Sequence, residues 1–290
     1  MRRILLTGTN GQIGYELERS LQGLGEIIAV DRSRMDLSDL DQVRDVIRTV
    51  KPSLIINPAA YTAVDKAETE TELAFRINAH APAVMAEEAK KLGAAMIHYS
   101  TDYVFDGSKT SAYTEADRTC PINVYGSSKL ASEQAIAAAG IPYLILRTSW
   151  VYGMRGKNFL LTIQRLARER DEIGIVADQY GSPTWSRTIA DTTAHIIAQG
   201  GLHTRAVENW AEFSGIYHLT AQGSTTWHGF ATAIVAHRSV TKKPLVKPIN
   251  TEDYPLPAER PANSVLSSSL LMSTFYGLPS WKEALQLCQG

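Results

Sequence analysis

Cys120 and Cys288 are the only cysteines in a chain of 290 residues. They lie at no metal-ligand spacing and cannot build a disulfide framework, so neither a zinc module nor a small stapled secreted fold is expected. An excess of charge of one sign is missing too. Against 29 Lys+Arg stand 30 Asp+Glu, for a net charge of -1. That balance argues against a globally basic nucleic-acid binder and leaves room only for local basic pockets. No apolar run approaches the roughly 18 residues of a membrane span. The opening Arg2-Arg3-Ile4-Leu5-Leu6 turns polar and glycine-rich at once, unlike a secretory signal. The expectation is a cytoplasmic protein with neither nucleic acid nor membrane as partner. Repeats and low-complexity tracts are also lacking.

What is present is alternation. Runs at Arg3 to Thr7, Glu26 to Val30, Leu54 to Ile56, Met96 to Ser100 and Tyr143 to Arg147 read as strands. Between them lie helical stretches at Gln12 to Leu24, Leu40 to Val50, Glu70 to Leu92 (broken near Pro82) and Tyr125 to Ala139. Continuously apolar strands alternating with helices predict a Rossmann-like, doubly wound parallel α/β sheet. The alternation weakens after residue 150. Residues 1–150 are expected to form the dinucleotide-binding domain, and 151–290 a smaller, irregular α/β substrate lobe, with a soft boundary that the chain can cross again. Trp210, Phe213 and Tyr217 read as packing, and His98 as a core or cofactor-side histidine.

Gly8-Thr9-Asn10-Gly11-Gln12-Ile13-Gly14 joins the first strand to the first helix. A pyrophosphate needs backbone N–H groups at a helix N-terminus with no Cβ atoms in the way. Gly8 suits the tight turn, Gly11 the approach of the phosphates, and Gly14 close helix–strand packing. Asp31, at the end of the second strand, suits the ribose hydroxyls of NADH; its neighbour Arg32 suits the 2′-phosphate of NADPH. Both cofactors stay open. Asp36 and Leu37 suit the adenine, although Asp36 equally suits a helix cap.

Tyr125 and Lys129 stand at i and i+4 at the start of a helix, so both can face one cleft. A cationic neighbour would make the phenol a better proton donor near neutrality. Thr101, at the carboxyl end of the strand facing that helix, is placed to donate to a carbonyl oxygen as charge develops on it.

These motifs resemble the extended short-chain dehydrogenase/reductase superfamily and, within it, the dTDP-4-dehydrorhamnose reductase family. The resemblance runs over nearly the whole chain. It rests on Gly8 to Gly14, Asn57 to Glu68, Ser100 to Gly107, Tyr125 to Lys129, Arg147 to Tyr152, Asp178 to Thr184 and Arg260 to Ser264. It implies reduction by NADPH or NADH of C4 in dTDP-6-deoxy-L-lyxo-hexos-4-ulose, with Tyr125 as acid and Lys129 and Thr101 assisting. It further implies that Gln12, Ile13, Ala60, Tyr61, Thr62 and Tyr99 line the cofactor. Asp102 and Trp150 would contact the sugar. Arg260 and Asn263, with Arg155 and Lys157, are candidates for the nucleotide-sugar end. Where that family commonly has alanine after the third-strand Asn, this chain has Pro58, which removes one N–H donor.

Some members of the family bridge a homodimer through magnesium. Glu16 matches one ligand position, but Arg187 stands where a second carboxylate is expected, and an arginine cannot ligate the ion. No metal is therefore expected, and the chain is read as a monomer or homodimer. Two other readings remain at this point: a nucleotide-sugar epimerase or dehydratase of the same superfamily, and a non-catalytic NADP-binding regulatory subunit.

Overall fold

Residue alternation within single strands decides where the helices go. In the computed structural model, which describes residues 2–199, 208–237 and 239–290, Ile4, Leu6, Leu54 and Ile56 point into one buried cluster. Leu5 and Ile55, one step along each strand, point into another. A sheet that is apolar on both faces must be covered on both.

The first half of the chain runs β1 (Arg3–Leu6), α1 (Gln12–Ser20), β2 (Glu26–Ala29), α2 (Leu40–Val50), β3 (Leu54–Asn57), α3 (Val64–Ala67), α4 (Thr71–Phe75), α5 (Ala81–Leu92), β4 (Ala95–Thr101), α6 (Val124–Ala138) and β5 (Tyr143–Thr148). The second continues with β6 (Val151–Tyr152), α7 (Phe159–Glu169), β7 (Glu172–Val176), β8 (Tyr180–Gly181), β9 (Thr184–Trp185), α8 (Ser186–Gln199), α9 (Glu208–Glu212) and β10 (Gly215–His218). It ends with β11 (Thr225–Thr226), α10 (Trp227–Ala236), β12 (Leu245–Ile249), α11 (Ser269–Thr274) and α12 (Trp281–Gln289).

Six strands form one parallel sheet in the order β10-β5-β4-β3-β1-β2. This is the doubly wound α/β architecture expected from the alternation. Leu17 and Leu21 of the first helical segment join Ile189, Ile196 and Ile197 of α8 on one face. Val43 and Ile47 of α2, Val84, Met85 and Ala89 of α5 and Ile136 of α6 cover the other. The strand order reverses between β1 and β3, which opens a crevice at the carboxyl ends of the strands. Beyond residue 150, α8 and β10 return to this sheet. A separate core of Tyr152, Leu160, Ile163, Phe230, Ile234, Trp281 and Leu285 gathers α7, α10 and α12 beside the parallel pair β7–β12. Trp210 and Tyr217 lie in the core as packing residues, with Phe213 against them.

Two elements depart from expectation. Helix α1 stops at Ser20, and the segment to Leu24 is turn, because Gly23 takes a left-handed φ of 85°. The break in the long helix lies before Pro82, in a π-helical turn over Arg76–His80. Pro82 has no N–H for the Asn78 carbonyl, so the ordinary ladder fails there. The Asn78 amide is used elsewhere: it accepts from Tyr61 N–H at 2.7 Å and donates to Tyr61 O and to Ser128 Oγ, both at 3.0 Å. The irregular turn thus ties the loop after β3 to α6. Among the described residues, no helix is long and apolar enough to cross a membrane.

Candidate active site

A cleft of about 690 Å³ follows the carboxyl ends of the strands. At one end lies the glycine turn. Gly8 adopts φ +60°, and a Cβ on Gly14 would stand 2.2 Å from the Gly8 carbonyl oxygen, so α1 can begin this close to β1 only with glycine there. Gly11 is the N-cap of α1 and offers no side chain to its first N–H groups, which leaves that helix end for an anion. Gln12 and Ile13 line the same end.

A second hollow of about 310 Å³ adjoins it, walled by Asp31, Arg32, Asp36, Leu37, Ala60, Tyr61 and Thr62. The Asp31 carboxylate accepts from Ser33 and Asn10, and these bonds hold its pKa below the usual range. Arg32 donates to Asp36 at 3.0 Å. The cap of α2 is Asp39, which accepts from Asp41 and Gln42 N–H. Asp36 therefore stands at the hollow and does not cap that helix. A cradle without Cβ atoms, a helix N-terminus and an adjoining hollow edged by both a carboxylate and a guanidinium fit a dinucleotide.

Helix α6 carries Tyr125 and Lys129. Asn123 caps it by accepting from Gly126 N–H at 2.8 Å, and Glu68 accepts from Val124 N–H at 2.9 Å. A Cβ on Gly126 would meet the Tyr103 carbonyl oxygen at 2.1 Å. Glycine between Tyr125 and Lys129 therefore lets the helix press onto the end of β4. The contact brings Tyr125 against Thr101, and both line the cleft with Lys129 and Tyr99. The Tyr99 hydroxyl is anchored on Thr193 at 2.7 Å.

Burial pushes the Tyr125 phenol up to about 12; Thr101 lowers it and the charge of Asp102 raises it further. The expected lowering by Lys129 is not what this geometry gives. Lys129 Nζ sits 3.0 Å from His98 Nε2, and burial brings its pKa down to about 7. His98 is fully buried, bonded to Asn57 at 3.2 Å and Ser132 at 3.0 Å, and held well below its ordinary pKa by burial and by Lys129. It is a buried core residue behind Lys129. Spacing alone could not have paired it with Lys129.

The residues expected at a sugar meet the cleft only in part. Asp102 and Trp150 line the cleft. Asp102 is buried, with one carboxylate oxygen accepting from Thr101 at 2.9 Å and Ser264 beside the carboxylate. Burial raises its pKa to about 7. Arg260 and Asn263 are not among the cleft residues. The Arg260 guanidinium is ion-paired with Asp65 at 2.9 Å, and the Asn263 amide donates to the carbonyls of Lys109 and Ser111 at 2.7 and 3.0 Å. These bonds tie the 258–264 segment down, and Arg260 also reaches the Tyr103 hydroxyl, whose residue lines the cleft. Arg155 stacks over the Tyr15 ring at 4.0 Å, away from the cleft lining, whereas Lys157 lies on the lining beside the glycine turn. Sequence reasoning missed Tyr103, Asn158 and Trp227, which also line the cleft. Asn158 could have been suspected as the N-cap of α7; nothing local marked Trp227.

The residues at the expected magnesium position do not fit the ion. Arg187 lies 3.6 Å from Glu16 and 3.2 Å from Asp191, so its guanidinium already neutralises the carboxylates. Among the described residues no cluster of three or more acidic, His or Cys side chains forms a metal site.

A parallel doubly wound sheet whose switch-point crevice collects a phosphate turn, a strand-end threonine and a helical Tyr-x-x-x-Lys pair defines the extended short-chain dehydrogenase/reductase class. Comparison with known proteins narrows this. The model of the family described as RmlD substrate binding domain matches residues 1–289, and the chain belongs to that family. It is 50% identical to a dTDP-4-dehydrorhamnose reductase of Burkholderia thailandensis, covering 99% of this chain and 97% of that one. It is 42% identical to the enzyme of the same name from Escherichia coli K12, covering 96% and 94%. A crystal structure of dTDP-4-dehydrorhamnose reductase from Bacillus anthracis in complex with NADP superposes with a TM-score of 0.89, at 37% identity and 99% coverage of both chains.

Proposed function

We propose that this protein reduces the C4 keto group of dTDP-6-deoxy-L-lyxo-hexos-4-ulose with NADPH, or with NADH, to give dTDP-L-rhamnose. The observation that carries the reading is one cleft in which Tyr125, Thr101 and Lys129 meet the glycine turn. The names and full-length similarity of the relatives support it. In this reading residues 1–150 hold the dinucleotide and the lobe drawn from 151–290 receives the nucleotide sugar, in the cytoplasm, in a monomer or homodimer.

The nicotinamide cofactor, when bound at Gly8 to Gly14 and the hollow of Asp31 and Arg32, supplies a hydride. The chain's own residues do the rest. A phenol with a pKa near 12 is protonated at neutral pH, so Tyr125 stands ready as the acid that gives its proton to O4. Thr101, beside it, steadies the oxygen as negative charge grows there. Lys129, buried and close to its own midpoint near pH 7, lines the same cleft and bonds the ribose hydroxyls of the cofactor. Asp102, whose carboxylate takes a hydrogen bond from Thr101, lines the same cleft and helps to orient the sugar.

Purified protein mixed with NADPH and the 4-ketosugar should consume nicotinamide absorbance, and NMR of the product should show the reduced sugar. Absence of consumption with either nicotinamide rejects the reading; an inverted but unreduced sugar makes the protein an epimerase.

A further inference from the structure

Trp150 is held in a backbone conformation that side chains of its kind adopt only when their surroundings compel it, with φ +46°. Two neighbours account for this. The Trp227 indole lies flat on that of Trp150, with ring centroids 3.5 Å apart and planes 5° from parallel. Gly181 approaches the same indole so closely that a Cβ there would stand 2.3 Å from its Cε2.

These two neighbours are themselves locked together. Gly181 ends β8, which pairs with β11 so that Gly181 faces Thr225 and Tyr180 faces Thr226. Trp227 follows directly as the first residue of α10, whose N-cap Thr226 accepts from Gly229 N–H at 3.0 Å. Phe159 supports Trp227 from α7, with centroids 4.6 Å apart. Both tryptophans line the cleft. The 178–184 segment, singled out in the sequence but given no role in the reaction, thereby gains one: it carries the glycine that makes room for the stacked pair.

We propose that Trp227 and Gly181 are positioning residues for the nucleotide-sugar substrate, fixing the Trp150 indole as a preformed wall at the sugar end of the cleft. The inference rests on the reading above in taking Trp150 as a substrate contact. A preformed wall spares the substrate the cost of ordering a mobile ring on binding, so its loss is felt in substrate affinity.

The test uses the intact protein and the variants Trp227→Leu, Trp227→Phe and Gly181→Ala. Two indoles in contact couple their electronic transitions, so the wild type should show an exciton couplet in circular dichroism. Trp227→Leu and Gly181→Ala should lose it. Each should raise KM for the 4-ketosugar roughly three- to tenfold, the range of one lost aromatic stack. That rise should exceed any fall in kcat, with the Kd for NADPH held. Trp227→Phe should restore part of the affinity, and it decides the matter if the leucine variant does not fold. Loss of the couplet with KM unchanged overturns the proposal, as does a KM that rises only in step with the NADPH Kd. A wild type that shows the couplet but does not turn over this ketosugar overturns the functional reading instead. Positioning is then judged on dTDP-glucose binding relative to dTDP, which should weaken in Trp227→Leu; unchanged dTDP-glucose binding overturns it.

Discussion

Lys129 Nζ lies 3.0 Å from Nε2 of His98, and the histidine, in turn, rests on Asn57, which accepts from Thr7 Oγ1 at 2.6 Å. Asn57 donates to Nδ1, which leaves the ring proton on Nε2, facing Ser132 and Lys129. A row of buried side chains from the ends of β1 and β3 and the middle of β4 therefore stands behind the lysine. Replacing His98 with leucine strips partners from Asn57 and Ser132, both fully buried. The expected cost is about 1–3 kcal/mol of stability for such an orphaned group. Thermal or urea denaturation measures it, and a leucine variant as stable as the wild type would show that the row contributes nothing.

Tyr125→Phe removes only a hydroxyl from a buried ring. Its fold should survive, while kcat falls by a factor on the order of 10²–10⁴, the usual contribution of a general acid. Steady-state kinetics beside a melting curve separates the two effects. Near-normal turnover would mean that the proton comes from elsewhere.

Asp102 offers a test in pH. Its folded pKa is raised to about 7 by burial, against an ordinary value near ~4. Between those limits the folded state keeps a proton that the unfolded chain releases. The stabilisation is therefore complete below about pH 4 and is lost as pH rises through about 7. Asp102→Asn cannot titrate, so its stability relative to the wild type should improve across that window. Two curves that run parallel from acid to neutral would remove Asp102 as the responsible group.

Arg32 stands at the hollow beside the glycine turn with its guanidinium on Asp36. If it serves the 2′-phosphate, Arg32→Ala should weaken NADPH binding by about 1.5–3 kcal/mol, the value of a charge-assisted hydrogen bond, and leave NADH binding nearly unchanged. Fluorescence titration with each dinucleotide measures both. Equal weakening for the two would assign Arg32 to the hollow's shape and not to the phosphate.

Features that depend on neighbours close in sequence were legible in advance. The strand–helix alternation, the glycine turn and the Tyr125–Lys129 pair all follow from periods of two or 3.6 residues, or from the steric limits of a turn, which the chain carries locally. Even so, the local rule misjudged what Lys129 does, because the direction in which a long side chain ends depends on what is packed beside it.

Arg260 and Asn263 show the same limit at greater distance. As a guanidinium and an amide in a family motif, they looked fit for a substrate; the fold gives the first to Asp65 and the second to the carbonyls of Lys109 and Ser111. Trp227 is the converse case, an unmarked residue that the β8–β11 pairing lays on Trp150. By itself the sequence determined the class of fold, the glycine turn that opens α1 and the helix that bears Tyr125 and Lys129, since each is written in short-range spacing. Only the tertiary structure decided which polar groups remained free for chemistry and which ring stood behind Trp150. Those outcomes turn on contacts between residues far apart in the chain, made when burial forces every charged and hydrogen-bonding group to find a partner.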